Sequence, residues 1–164
     1  MSSKLIIIRG NSGSGKSTVA RQLRERLGDN TMLVPQDVIR REILFVKDRE
    51  GNPAIDLIAN VVSYAKKIDY NVILEGILSK KLYESTLNQL IDEFAPNIHI
   101  FYMDVSFEET VRRHQTKPNK HEYGEEKMRE WWIEKDYLGH PSEKIIPETL
   151  TTDEAVEFIL NTIS

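Results

Sequence analysis

The chain has 164 residues, of which 40% are apolar, and carries a formal net charge of −4 with no cysteine. This length suffices for one well-buried core and is short for two ordinary domains, so we expect a single domain over residues 1–164. The lack of cysteine excludes disulfides, thiolate metal sites and cysteine nucleophiles, and agrees with a reducing cytoplasm. The acidic balance argues against broad electrostatic affinity for nucleic acid.

The first apolar run covers only residues 5–8 and then becomes polar, unlike the longer core of a secretory signal. No stretch of the sequence is apolar enough over a sufficient length to cross a bilayer. We therefore expect a soluble, cytoplasmic protein with no membrane partner.

The first predicted elements are a strand at residues 5–8 and a helix at about 19–27, joined by a glycine-rich loop. The loop fits the pattern G-x-x-x-x-G-K-[ST] of a phosphate-binding loop, and a strand before it and a helix after it are the required setting. The residues that we expect to bind a nucleotide here are Gly10, Asn11, Ser12, Gly13, Ser14, Gly15, Lys16, Ser17 and Thr18.

The chemistry of this loop follows from its residue types. Glycines let consecutive backbone N–H groups approach a phosphate chain, and the helix N-terminus that follows favours an anion. Lys16 is expected to reach the β- and γ-phosphates, and the Ser17 hydroxyl to ligate Mg²⁺. Thr18 suits either a hydroxyl behind the metal or an ordinary helix position.

Continuous apolar runs predict four further strands, near residues 31–34, 71–74, 98–103 and 144–146. Helices are predicted at about 37–46, 54–68, 80–94, 106–115, 125–135 and 152–163, and Ser106 with Glu109 fits a capping box. Strands without polar alternation, separated by helices, indicate a parallel sheet covered on both faces. The expected fold class is α/β, a three-layer α/β/α P-loop NTPase fold with a central parallel sheet of about five strands and a short lid.

In such a sheet the ligand lies outside the carboxyl ends of the strands, which draws attention to Asp37 after the second strand. Arg40 is three residues further on, so the two side chains share a helix face. We interpret Asp37 as a general base for an attacking hydroxyl and Arg40 as its acceptor-side partner. The alternative is a helix N-cap aspartate beside a surface arginine.

Glu75 ends the third predicted strand, the position of the acidic residue in a Walker B-like strand. Its carboxylate is predicted to hold Mg²⁺, directly or through water, or to bind a hydroxyl of the acceptor. The alternative is a cap of the next helix. The four histidines show no metal-ligand spacing, so no metal is assigned to them.

Residues 111–121 contain several basic side chains and no acidic one. Arg113 and Lys117 are spaced to face one way, and we predict a lid at about residues 112–136 in which Arg113 neutralises charge on the γ-phosphate. Arg112 and Lys117 are further candidates for nucleotide contact. Solvated surface charge is the alternative, and Trp131 and Trp132 fit packing residues better than a base-stacking platform.

On these motifs the chain resembles the small P-loop kinases: the 5′-kinase domain of phage polynucleotide kinase and, more loosely, chloramphenicol phosphotransferase, zeta toxins and gluconate or nucleoside-type kinases. Residues 10–18 match the Walker A loop, and Asp37 with Arg40 matches a D-x-x-R that implies a base and its partner. Arg113 matches a lid arginine. Lys117 replaces another arginine of that family, and lysine does not reproduce arginine's bidentate, stacking contacts; Glu75 replaces an aspartate.

The resemblance implies an ATP- and Mg-dependent phosphotransferase with an alcohol group as acceptor. A small hydroxylated metabolite, nucleoside-like or sugar-like, is the preferred acceptor, and a polynucleotide 5′-hydroxyl is the alternative. A non-catalytic nucleotide-binding regulatory module is the alternative from another class. The choice of ATP over GTP and the oligomeric state stay open at this point.

Overall fold

A computed structural model describes residues 2–118 and 120–164 of the chain. Its five strands are β1 (Leu5–Gly10), β2 (Thr31–Pro35), β3 (Asn71–Gly76), β4 (Ile98–Asp104) and β5 (Glu143–Pro147). The α-helices are α1 (Lys16–Leu27), α2 (Pro53–Lys67), α3 (Lys80–Phe94), α4 (Phe107–His114), α5 (Glu125–Trp131) and α6 (Thr152–Ile163), and a π-helix covers Val38–Ile43.

The sheet is parallel throughout, in the order β2-β3-β1-β4-β5, which confirms the predicted five-stranded α/β/α fold. Strand β1 occupies the centre and is buried along its whole length. The loop that follows it therefore lies at the middle of the carboxyl edge, between the ends of β3 and β4. This is the edge at which ligands bind in sheets of this type.

Alternate residues of β1 supply the two halves of the core, because successive side chains of a strand point to opposite faces. Leu5 and Ile7 join the cluster that contains the buried residues of α2 and α3. Ile6 and Ile8 join the cluster formed with α1 and α6. Both faces of the sheet are thus covered, as the uninterrupted apolar runs indicate.

Two helix predictions were wrong in extent. The helix expected over residues 37–46 is the π-helix Val38–Ile43, whose Leu44 N–H bonds to the Ile39 carbonyl five residues back. The helix expected over residues 125–135 ends at Trp131. It stops there because the Asn11 side chain takes both the N–H and the carbonyl of Ile133, which removes them from any helical ladder.

One helix start and one capping prediction also differ from the structure. Helix α1 begins at Lys16 rather than near residue 19, so the phosphate-binding lysine is itself in the first turn. Ser106 accepts a bond from the Glu109 N–H, but the Glu109 carboxylate turns to the arginines of α4, so the reciprocal half of the predicted capping box is missing. Within the described ranges, no helix combines the length and apolarity needed to cross a membrane.

Candidate active site

The loop between β1 and α1 needs glycine where it contacts α4. Gly13 has a φ of +82°, and a Cβ placed there would lie 2.7 Å from the carbonyl oxygen of Thr110. Gly15 has a φ of +96° and serves as the N-cap position of α1. A side chain at either residue would strain the backbone, and at Gly13 it would also push the loop away from α4.

Lys16 is almost fully buried beneath this loop, and its Nζ donates to the carbonyl oxygen of Asn11 at 3.1 Å. Burial lowers the pKa of Lys16, while the charges of Glu75 and Asp37 act in the opposite direction. The ammonium group has three N–H donors, and Asn11 accepts from one of them. The other donors can bind phosphate oxygens. The position and chemistry of Lys16 are those expected of a phosphate-binding lysine.

Arg113 fastens α4 to the phosphate loop. Its Nη1 donates to the carbonyl oxygen of Ser14 at 2.7 Å, its Nη2 to the carbonyl oxygen of Glu148 at 3.0 Å, and its Nε to the Glu109 carboxylate at 2.8 Å. Hydrogen bonds from Arg112 and Arg113 lower the pKa of Glu109 to about 2, so this carboxylate stays ionised. The structure therefore brings the predicted lid arginine to the loop and fixes its orientation.

A cavity of about 390 Å³ opens beside the loop, large enough for a nucleoside. Gly15 and Thr18 line it from the phosphate loop and α1, Arg113 lines it from α4, and Thr149, Leu150 and Thr151 line it from the segment after β5. Arg112 lies at the rim with an exposed side chain that pairs with Glu109. Thr18 thus lines a cavity wall, which favours neither of its two interpretations.

Lys117 completes a group of four charged side chains with Lys16, Glu75 and Asp37. Burial, the largest influence, lowers the pKa of Lys117, and the positive charge of Lys16 lowers it further. Glu75 and Asp37 are close enough for their negative charges to raise it in part. Lys117, three residues beyond α4, is thus close enough to the carboxyl edge of the sheet to be influenced by the charges of Lys16, Asp37 and Glu75.

Glu75 is only 4% exposed at the carboxyl end of β3. Its negative charge acts on Lys16 and raises the pKa of that lysine. Glu75 does not cap the following helix, whose N-cap position is Ser79, so the capping alternative is wrong. Ser17 lies in the first turn of α1 on the same edge of the sheet. A hydroxyl and one carboxylate fit Mg²⁺ held jointly with nucleotide phosphates, because that ion keeps waters and takes few protein ligands.

Among the described residues, no group of three or more His, Cys, Asp or Glu side chains could hold a metal by itself. The buried His114 bonds through Nε2 to the Tyr123 carbonyl oxygen and stacks on the Tyr123 ring. Tyr123 in turn places its hydroxyl 3.1 Å from Ser12 Oγ. This histidine therefore packs the segment between α4 and α5 against the loop. Asn119, inside the predicted lid, lies outside the described residues.

Asp37 is 61% exposed and makes no side-chain cap bond, although it precedes the π-helix. Its Oδ1 lies 3.6 Å from Arg40 Nη2 and 3.9 Å from Arg41 Nε. Arg40 also donates through Nη1 to the carbonyl oxygen of Val46 at 3.0 Å. The carboxylate is thus open to an incoming molecule, and Arg40 secures the loop behind it.

The sequence analysis missed Arg41 as a neighbour of Asp37, and it missed Trp131 as the ring beneath Arg41. Arg41 reaches Asp37 from one turn away, and its guanidinium lies over the ring of Trp131, 5.6 Å from the ring centroid. The four-residue spacing from Asp37 would have nominated Arg41 beside Arg40. The contact with Trp131 joins residues far apart in sequence, and no local pattern reveals it.

Solved structures share this fold. The APS kinase of Mycobacterium tuberculosis, determined in complex with AMPPNP and APS, superposes with a TM-score of 0.74 at 16% identity, over 99% of this chain and 98% of that one. A sugar kinase of Janibacter sp. HTCC2649 gives a TM-score of 0.69 at 15% identity over 98% and 94%. A gluconokinase of Sinorhizobium meliloti 1021 gives 0.64 at 16% identity over 98% and 91%.

No curated protein matches the chain in sequence. A family model described as an AAA domain matches residues 5–133, which is most of the chain and includes the phosphate loop, Asp37, Glu75 and the arginines of α4. This chain belongs to the AAA domain family.

Proposed function

We propose that the protein is an ATP- and Mg-dependent kinase that transfers the γ-phosphate to a hydroxyl group of a small metabolite of nucleoside-like or sugar-like type. The observation that carries this proposal is the buried Lys16 of the glycine-rich loop, bonded to Asn11, with Lys117 and the exposed carboxylate of Asp37 near enough for their charges to interact. Two cations at the phosphate loop suit the triphosphate, and an exposed carboxylate next to them suits the acceptor.

In this reaction the acceptor oxygen forms a bond to the γ-phosphorus, and the bond from that phosphorus to the β–γ bridging oxygen breaks. Asp37 accepts the proton of the attacking hydroxyl, and ADP departs with the negative charge that develops on the bridging oxygen. Lys16 and Lys117 hold the oxygens around that position, and Arg113 keeps α4 in place over the loop. Transfer thus depends on positioning and on charge that is already arranged.

Ser17 and Glu75 are the residues that would hold Mg²⁺, which supplies neutralisation of phosphate charge when bound. Glu75 is equally suited to bind an acceptor hydroxyl, because it lies in the same charged group as Asp37. Among the structural neighbours, one is an APS kinase solved with AMPPNP, one a gluconokinase and one a sugar kinase. These assignments belong to the neighbours, and they support a small-molecule acceptor here.

A polynucleotide 5′-hydroxyl is the second candidate acceptor, favoured by the Asp37–Arg40 pair, which the structure brings within 3.6 Å. The experiment measures ADP formation from Mg-ATP with nucleosides, sugars, sugar acids and aminoglycosides beside 5′-hydroxyl RNA and DNA oligonucleotides. Stimulation by a small molecule supports the preferred function, and stimulation by the oligonucleotides alone replaces it with the second candidate. ATP binding without stimulation by any acceptor supports a nucleotide-binding regulatory module instead.

A further inference from the structure

Arg41 presents an anion-binding group beside the candidate base. Its guanidinium carbon lies 5.6 Å from the centroid of the Trp131 ring, and its side chain is 41% exposed. When a guanidinium packs with its flat face on an aromatic ring, its N–H donors point outward from the edge of the guanidinium. They can then donate to another group. The nearest carboxylate oxygen, Asp37 Oδ1, is 3.9 Å from Nε and beyond hydrogen-bond distance.

Arg40 does not compete for this role. Its side chain is only 14% exposed, and Nη1 is occupied by the carbonyl oxygen of Val46. Its buried Nε has no partner within the described part of the chain, but it faces protein rather than solvent. Of the two guanidinium groups beside Asp37, that of Arg41 is therefore the more accessible to an incoming molecule.

Asp37 has two positively charged neighbours on its own helix. Two guanidinium groups pair with this single carboxylate in the structure. The proposed function assigns Lys16 and Lys117 to the nucleotide, and Arg113 is already bonded to Ser14, Glu148 and Glu109. Arg41, 41% exposed and without a hydrogen-bonded carboxylate, is the cation beside Asp37 that is most open to an acceptor.

We propose that the acceptor is itself an oxyanion, a hydroxyl compound whose own carboxylate or phosphate group binds Arg41, with Trp131 holding the guanidinium in place. A guanidinium donates two parallel hydrogen bonds to either group, and both partners are charged. The hydroxyl of the same molecule then lies next to Asp37. This proposal rests on the proposed function, because it takes Asp37 to face the acceptor.

Matched pairs of acceptors test the charge requirement. Glucose and gluconate, glycerol and glycerate, and a nucleoside and its 3′-monophosphate differ by an anionic group; a short 5′-hydroxyl oligonucleotide separates a free anion from a polymer backbone. We expect kcat/KM to be about tenfold or more higher for the anionic member of the productive pair, as a charged hydrogen-bonded contact predicts. Equal values within every productive pair overturn the proposal and leave the kinase function intact.

Arg41→Gln tests the residue. We expect it to remove most of the preference for the anionic acceptor through the acceptor KM, while the KM for ATP stays within about twofold. Trp131→Leu should shift the acceptor KM in the same direction, because the guanidinium loses its support. Arg26→Gln is the matched control: Arg26 pairs with Glu157 on the α1–α6 surface and loses the same charge far from the site. An equal effect of Arg26→Gln contradicts a specific role for Arg41.

A binding readout separates this proposal from the proposed function. The chain has two tryptophans, so Trp132→Phe leaves Trp131 as the only one. We expect gluconate, glycerate or the nucleoside monophosphate to change Trp131 fluorescence, the neutral partners to leave it unchanged, and Arg41→Gln to abolish the response. If these responses occur without phosphoryl transfer to any acceptor, the kinase function fails and the anion site stands. If transfer occurs and no anion moves the signal, the anion site fails.

Discussion

Asn11 and Ile133 exchange two hydrogen bonds between the phosphate loop and the segment after α5. Asn11 Nδ2 donates to the Ile133 carbonyl oxygen at 2.7 Å, and the Ile133 N–H donates to Asn11 Oδ1 at 2.9 Å. The side chain is 6% exposed, so neither bond competes readily with water. The position of the loop and the position of the chain after Trp131 are therefore linked directly.

Asn11→Ala removes both bonds and leaves the part-buried N–H and carbonyl of Ile133 without these partners. We expect a loss of about 1–3 kcal/mol in stability and faster amide exchange at Ile133. The affinity for ATP should fall as well, because the loop loses its support from the predicted lid. Hydrogen exchange, thermal unfolding and nucleotide titration measure the three effects.

The control for this substitution is Asn71→Ala. Asn71 accepts one bond from the Lys4 backbone N–H at 2.9 Å, away from the phosphate loop. We expect it to lower stability without changing the affinity for ATP. A fall in ATP affinity as large as that of Asn11→Ala would show that the effect is general.

Arg113→Lys keeps the positive charge and loses the planar guanidinium that makes three hydrogen bonds. A lysine cannot bond Ser14, Glu148 and Glu109 together, as the arginine does. We expect the Kd for ATP to rise by about tenfold, which a nucleotide titration measures. Arg26→Lys on the opposite surface should leave the Kd unchanged, and an unaltered Kd in Arg113→Lys would contradict the role of this residue.

The pH dependence of ATP binding follows from Lys117. Burial lowers its pKa below the ordinary 10.5, so the ammonium loses its proton earlier as the pH rises. Its attraction for phosphate is present below that pKa and is lost above it. We expect the KM for ATP to increase with pH in the alkaline range, and Lys117→Arg to shift this increase to higher pH because a guanidinium stays charged.

An identical pH profile for Lys117→Arg and the wild type would exclude Lys117 from the effect. Lys16, whose pKa burial also lowers, would then be the group responsible. Each profile is measured at saturating acceptor, so that the KM for ATP is the quantity compared.

Arg9 is a buried cation of the central strand β1. It is fully buried, donates to the Asp136 carboxylate at 2.9 Å and lies 3.8 Å from the Glu143 carboxylate. Arg9→Met leaves both carboxylates without their cation, and we expect about 3–5 kcal/mol less stability in urea unfolding. Arg26→Met, which breaks the exposed pair with Glu157, should cost about 1 kcal/mol or less. Equal losses would contradict the structural role of Arg9.

The fold could be predicted because its signals are local. The apolar runs of β1 and β3 and the glycine pattern of residues 10–18 are each contained in a few neighbouring residues. The end of α5 could not be predicted, because Asn11 decides it through bonds to Ile133. The π-helix has no signature in the apolar pattern either; Arg40 within it bonds the Val46 carbonyl oxygen just beyond its end.

The residues of the candidate site, like the elements of the fold, could be predicted only where their signals are local in sequence. Strand ends and a charge pattern predict Lys16, Asp37, Glu75 and Lys117, and the structure places them near enough for their charges to influence one another. Sequence spacing does not show that Arg113 reaches Ser14 or that Trp131 holds Arg41, because these partners come from distant parts of the chain. The motifs predict the chemistry, which stays a prediction, whereas the contacts that hold these side chains in place are visible only in the fold.

The most direct test of the proposed kinase compares Asp37→Asn with the wild type in one acceptor assay, measuring kcat and the Kd for ATP separately. An amide keeps the size of the carboxylate and cannot take the proton, so we expect kcat to fall by about 10²-fold or more with the Kd for ATP within about twofold. A large increase in the Kd with an unchanged kcat at saturating ATP would contradict the account and make Asp37 a structural residue.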